Sequence, residues 1–217
     1  MTFLHPFAAL DHRCTPIRAR PGSNPHARVW GAASVQKVTS LILLNGPPGI
    51  GKSTLAARYA EDHTGTLNLD IDSLHFLIGG WRELGGRVHD YLRPLALAMA
   101  AGHLAGGNDV IVPQYIARAD AATAFELVAR AQSADLREIV LMDERAAALD
   151  RFYDRPDDTD WARHNRSIVT ELGDREFLDG MYDQLLGYLD GRPDAVTIAC
   201  VQGAVESSYA ALLRALN

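Results

Sequence analysis

The sequence predicts an α/β fold: a three-layer sandwich on a five-stranded parallel sheet, with helices on both faces and a small helical lid. Two observations carry that reading. From Val38 onward, short runs rich in Val, Ile and Leu alternate with longer segments of helical periodicity, the pattern of βα units around a parallel sheet. At 217 residues, with 47% hydrophobic and 22% charged side chains, the chain suits one well-buried domain and is short for two.

Taken in order, the strands fall at about 40–45, 66–71, 109–113, 137–142 and 195–201, and their aliphatic content suits strands buried on both faces. Helices are predicted over about 52–62, 87–105, 119–133, 144–154, 160–171, 174–189 and 204–215. Over 174–189, Phe177, Leu178, Met181, Tyr182, Leu185, Leu186 and Leu189 recur on one helical face, and Gly191 and Pro193 mark its end.

Residues 1–37 stand apart from the single domain expected over 38–217. Pro6, Pro16, Pro21 and Pro25, the scattered Arg13, Arg18, Arg20 and Arg28, and one acid, Asp11, show no periodicity and read as a poorly ordered extension. An Arg-rich, acid-poor leader also has the charge balance of an organelle transit peptide, without its Ser-rich amphipathic pattern. A start of translation near Val35 or Val38 is a third reading.

A formal net charge of −6 disfavours a nucleic-acid-coating protein, because such binding rests on Lys and Arg neutralising phosphates; a small molecule is the expected partner. Cys14 and Cys200 are far apart and lack metal-ligand spacing, which fits a reduced, cytoplasmic setting. No apolar run is long enough for a transmembrane helix, and the N-terminus lacks a secretory signal's pattern. Oligomeric state has no signature in the sequence.

The chemistry begins at Asn45-Gly46-Pro47-Pro48-Gly49-Ile50-Gly51-Lys52-Ser53-Thr54. Gly46-x4-Gly51-Lys52-Ser53 is the Walker A pattern, set between an apolar strand and an Ala-rich helix, and it makes the predicted fold that of a P-loop NTPase. Residues 46–54 are the expected nucleotide contacts: the glycines permit positive φ and close backbone approach, so successive N–H groups of the loop can point at phosphate oxygens ahead of a helix N-terminus. Lys52 is expected at the β- and γ-phosphates of ATP and the Ser53 hydroxyl on Mg²⁺.

The second strand ends in Leu69-Asp70-Ile71-Asp72-Ser73. Strand alternation would put Asp70 and Asp72 on one side, at the carboxyl end of a strand where open α/β sheets place ligands. One carboxylate then serves Mg²⁺ and the other accepts the proton of an attacking hydroxyl. The competing reading is that Asp72 merely caps a helix beginning at Ser73.

With these residues the chain resembles the small P-loop kinases related to shikimate and gluconate kinases, and is most similar in flavour to chloramphenicol phosphotransferase and zeta-toxin-like kinases. An AAA-type ATP-binding classification fits the same loop. The resemblance spans about 38–217 and implies a kinase acting on an alcohol, with Asp72 as base and Asp70 organising Mg²⁺. It also implies that lid arginines cover the nucleotide: Arg151 against the adenine and Arg155 on the transferring phosphoryl group, with Arg145 competing for the base. The lid is expected over about 150–165, tipped by Pro156-Asp157-Asp158-Thr159-Asp160.

One departure is that the third strand ends in Pro113-Gln114, where many P-loop proteins have an acid, which gives Asp70 and Asp72 more to do. A rival reading takes Asp143-Glu144, after Ile139-Val140-Leu141-Met142, as the Walker B of an ATPase whose acceptor is water. A nucleotide or nucleic-acid end kinase would need a basic groove, and a GTPase an Asn-Lys-x-Asp motif that does not occur. On the acceptor side, the stretch His75–Arg93 is rich in aromatic, His and Arg residues and suits a cyclic hydroxylated molecule such as a nucleoside, sugar or antibiotic. Asp72, Trp81, Arg87, Gln114 and Arg118 are the expected contacts, whereas His63, His103 and His164 read as structural.

Overall fold

The computed structural model describes residues 38–156 and 158–217, so the expectations for the N-terminal segment and Cys14 lie outside the described residues. Strand β1 (Ser40–Asn45) leads through the Gly-rich loop into α1 (Lys52–Asp62), and β2 (Leu67–Asn68) into a 3-10 helix, Ile71–Leu77. A short helix α2 (Trp81–Leu84) and a 3-10 turn (Gly85–Val88) precede α3 (His89–Ala105). Then follow β3 (Val110–Pro113), α4 (Ala119–Ala131), β4 (Asp135–Met142), α5 (Arg145–Asp154), α6 (Asp160–Glu171), α7 (Asp174–Leu189), β5 (Val196–Ala199) and α8 (Val205–Leu216). All strand pairings are parallel, in the order β2-β3-β1-β4-β5.

Side-chain alternation in the strands builds the three layers. Leu41, Leu43, Val110, Val112 and Val140 face a core completed by α3 and α4, whereas Ile42, Leu44, Ile111, Ile139 and Leu141 face α1 and α8. A separate cluster of Ala148, Leu149, Phe152, Val169, Leu178 and Tyr182 ties α5, α6 and α7 together above the sheet. Among the described residues, no helix is long and apolar enough to cross a membrane.

Two expectations need correction. The second strand stops at Asn68, because Asp70 turns the chain and its carboxylate accepts the Asp72 N–H at 3.1 Å, starting the 3-10 helix. The strand-alternation argument for the aspartates therefore fails, and Asp70, not Asp72, is the cap. On α7, Leu186 is 40% exposed while Tyr188 joins the core: the buried stripe is Leu178, Tyr182, Leu185 and Tyr188.

Candidate active site

The phosphate loop is held from below. Asn45, fully buried, accepts the Gly46 N–H at 2.7 Å and the Ile116 N–H at 2.8 Å, and its amide donates to the Ile116 carbonyl at 2.7 Å. One side chain thereby joins the start of the loop to the chain leaving β3. Gly46 has φ 145°, and a Cβ there would come within 2.5 Å of the Leu141 carbonyl; one at Gly49 would meet the Phe152 amide at 2.9 Å. Both positions require glycine because the loop packs directly on β4 and α5.

Lys52 folds back over this loop, its ammonium donating to the Gly46 and Pro47 carbonyls at 2.9 Å each. Burial pulls its pKa down to about 8, against the opposing pull of Asp72 and Asp70. Burial, reinforced by the like charge of Asp70, pushes the Asp72 carboxyl up to about 6, although Lys52, the Trp161 indole and Arg155 favour its ionised form. Asp72, Lys52 and Arg155 thus act on one another across a single space.

That space is a cavity of about 840 Å³ whose wall includes Pro48 through Leu55, Asp72, Arg151 and Arg155. Gly46 and Pro47 are buried beneath it. Of the expected acceptor contacts, Asp72 and Gln114 line the cavity; Trp81, Arg87 and Arg118 do not. Trp81 is 6% exposed and packs in the core, and Arg118 pairs with Asp120 at 2.7 Å. His164, expected to be structural, lines the cavity together with His75, Arg93, Tyr115, Trp161 and Asn165. His63 and His103 bond backbone carbonyls, of Tyr59 at 2.8 Å and of Gly65 at 2.7 Å.

The lid arginines differ in their surroundings. Arg151 is buried, and its guanidinium donates to the Ile50 carbonyl at 3.2 Å, the Asp143 carboxylate at 2.6 Å and the Cys200 carbonyl at 2.5 Å. It ties the loop to the chain after β4 and after β5 while also lining the cavity, its Nε buried without a hydrogen-bond partner among the described residues. Arg145 is paired with Asp179 and Asp183, away from this cavity. Arg155 stays exposed at the cavity wall, close enough to act on both Lys52 and Asp72. Asp143 serves Arg151 and the Glu144 N–H, and neither acid of the rival Walker B reading lines the cavity.

Sequence reasoning passed over Asn45 and the inner face of α6. The signal for α6 was present: Trp161, His164, Asn165 and Ile168 follow helical spacing, and all four line the cavity. The chain between β5 and α8, with Cys200 through Gly203, forms a further wall that no motif announced.

The family model described as an AAA domain matches residues 41–170. No curated protein matches the chain in sequence. Among solved structures, it is similar to a shikimate kinase from Bacteroides thetaiotaomicron at TM-score 0.53 and 17% identity, covering 82% of this chain and 98% of that one. A tunicamycin resistance protein of Deinococcus radiodurans matches at TM-score 0.52 and 17% identity, over 82% and 96%. A gluconokinase from Sinorhizobium meliloti 1021 matches at 0.51 and 18%, over 82% and 93%. At these identities the shared property is the α/β P-loop fold.

Proposed function

The chain belongs to the AAA domain family, and from that premise we propose that it is an ATP-dependent phosphotransferase that moves the γ-phosphoryl group to a hydroxyl of a small molecule. The observation that carries the reading is that Lys52, Ser53, Asp72 and Arg155 line one cavity, which continues past Asp72 into a compartment walled by α6 and α7. An enzyme that only hydrolyses ATP has no use for that compartment. The acceptor class is a nucleoside, a sugar or an antibiotic-like alcohol.

In this reading the Asp72 carboxylate accepts the acceptor's hydroxyl proton as its oxygen bonds to the γ-phosphorus. The bond from that phosphorus to the β–γ bridging oxygen breaks, and ADP leaves. Lys52 and Arg155 offset negative charge on the transferring group, and the backbone N–H groups of residues 49–54, which line the cavity, hold the remaining phosphates. Arg151 acts indirectly by fixing the loop.

Ser53 and Asp72, which line the cavity, are hard oxygen donors that fit Mg²⁺, whereas Asp70, expected to organise the ion, does not line the cavity and its carboxylate accepts the Asp72 N–H. Among the described residues no group of three His, Cys, Asp or Glu side chains would hold an ion alone, so the metal would enter with the nucleotide. When bound, it would neutralise charge on the β- and γ-phosphate oxygens. Asp70 is placed to act on Asp72 as a like charge and on Lys52 as an opposite one.

The test is ADP release from ATP in the presence and absence of a panel of hydroxylated acceptors. A rate that rises with one acceptor and saturates supports transfer; a rate indifferent to every acceptor returns the protein to the ATPase reading.

A further inference from the structure

We propose that the acceptor is an uncharged alcohol with an apolar, aryl-type body, and that the inner face of α6 selects it; this rests on the phosphotransferase reading of the same cavity. Val88, Ile116, Phe125, Ile168, Phe177 and Met181 give the wall a large share of hydrocarbon. Apolar surface of this extent gains by contact with a matching ligand surface and gains little from a polyhydroxylated one, whose hydroxyls would lose water without finding partners.

The polar groups of the compartment include Tyr115, His75, His89, His164, Gln114 and Asn165, and several are partly committed. The Tyr115 hydroxyl donates to the Met181 carbonyl at 2.8 Å, leaving its ring as the available surface. His75 is 1% exposed, its Nδ1 is hydrogen-bonded to the Asp72 carbonyl at 2.9 Å, and its ring packs 4.2 Å from that of Trp161. The His164 ring in turn meets Trp81 at 4.8 Å. Gln114, Asn165 and His89, whose ring lies 5.5 Å from that of His75, remain, and the Gln114 Oε1 is buried without a hydrogen-bond partner among the described residues. That atom suits one donor group on the ligand, not a ring of hydroxyls.

Charge argues the same way. A carboxylate carried into this compartment would need a paired cation. Lys52, Arg151 and Arg155 belong to the phosphate end, and the further cation lining the cavity, Arg93, is exposed to solvent. The stripe of Trp161, His164, Asn165 and Ile168 brings an indole, an imidazole, an amide and an aliphatic side chain to the space, with no Lys or Arg among them.

The experiment titrates the full chain, with ADP present, with naphthylmethanol and separately with gluconate and glucose, following binding by ligand-observed NMR. The same compounds are then offered as acceptors with ATP. Naphthylmethanol is expected to bind at least tenfold more tightly than either sugar. Ile168→Asp should weaken its binding at least tenfold and Ile168→Ser several-fold, with ATP binding in each variant serving as the check on folding. Tighter binding of glucose or gluconate, or naphthylmethanol binding indifferent to both Ile168 variants, overturns the inference. Phosphorylation of a sugar instead of the aryl alcohol overturns it while leaving the phosphotransferase reading intact. Failure of the wild-type chain to bind ATP overturns both.

Discussion

Lys52 and Asp72 line the same cavity and perturb each other's titration: burial draws the ammonium down to about 8 and lifts the carboxyl to about 6, while the attraction between them opposes both shifts. A carboxylate held near 6 is ionised at neutral pH yet a better proton acceptor than an ordinary one, which suits a base for an alcohol. Transfer should therefore fade as pH falls through about 6, by roughly tenfold per unit below it. The kcat/KM profile with a saturable acceptor checks this. Asp72→Asn should remove that limb and lower kcat by about 10²–10⁴.

The same shift sets a stability penalty. A carboxyl whose folded pKa is raised binds its proton more tightly in the native state, so stability falls as pH rises from the ordinary carboxylate range through about 6. Asp72→Asn should then stabilise the fold at neutral pH by about 1–2 kcal/mol, after allowing for the attraction to Lys52 that is lost. Denaturant unfolding at pH 7 and again near pH 4 tests the sign: the gain should shrink at the lower pH.

Arg151 and Arg155 should separate cleanly. Removing Arg151 leaves Asp143 without its partner and frees the Ile50 and Cys200 carbonyls, so Arg151→Ala should cost about 2–4 kcal/mol of stability. Arg155 makes no ion pair among the described residues, so Arg155→Ala should leave the melting temperature nearly unchanged. It should lower turnover by about 10²-fold with a much smaller effect on ATP affinity. Thermal melts beside steady-state kinetics make the comparison.

Asn45 should be the most sensitive residue of the loop outside its glycines. Asn45→Ala strands the Gly46 and Ile116 amides in a buried site, at a cost of about 2–4 kcal/mol. Because one side chain links the phosphate loop to the chain after β3, nucleotide affinity should fall with stability. Calorimetric unfolding and ATP titration of the variant test both.

Much of the layered fold was legible because its signals are local: aliphatic runs for β1, β3 and β4, helical periodicity for α3, α4 and α8, and glycines where the loop meets Leu141 and Phe152. What misled was geometry set by single side chains. Asp70 cut β2 short by capping the next turn, a choice between strand and 3-10 helix that Leu69-Asp70-Ile71-Asp72 leaves open. The free or committed state of Arg151 depended on Asp143 and Cys200, which come near it only once β4 and β5 lie side by side. The acceptor wall was hidden for a related reason: Trp161 and His164 belong to a helix far in sequence from Asp72, and helical spacing alone cannot distinguish a core face from a cavity face.

The most direct test is where the γ-phosphoryl group goes. Phosphorus NMR of ATP incubated with the protein, Mg²⁺ and a hydroxylated acceptor should show a new phosphomonoester resonance growing with ADP, and Asp72→Asn should slow its growth by about 10²–10⁴ while ATP still binds. Release of inorganic phosphate alone, at the same rate with and without acceptor and undiminished in Asp72→Asn, would contradict the account.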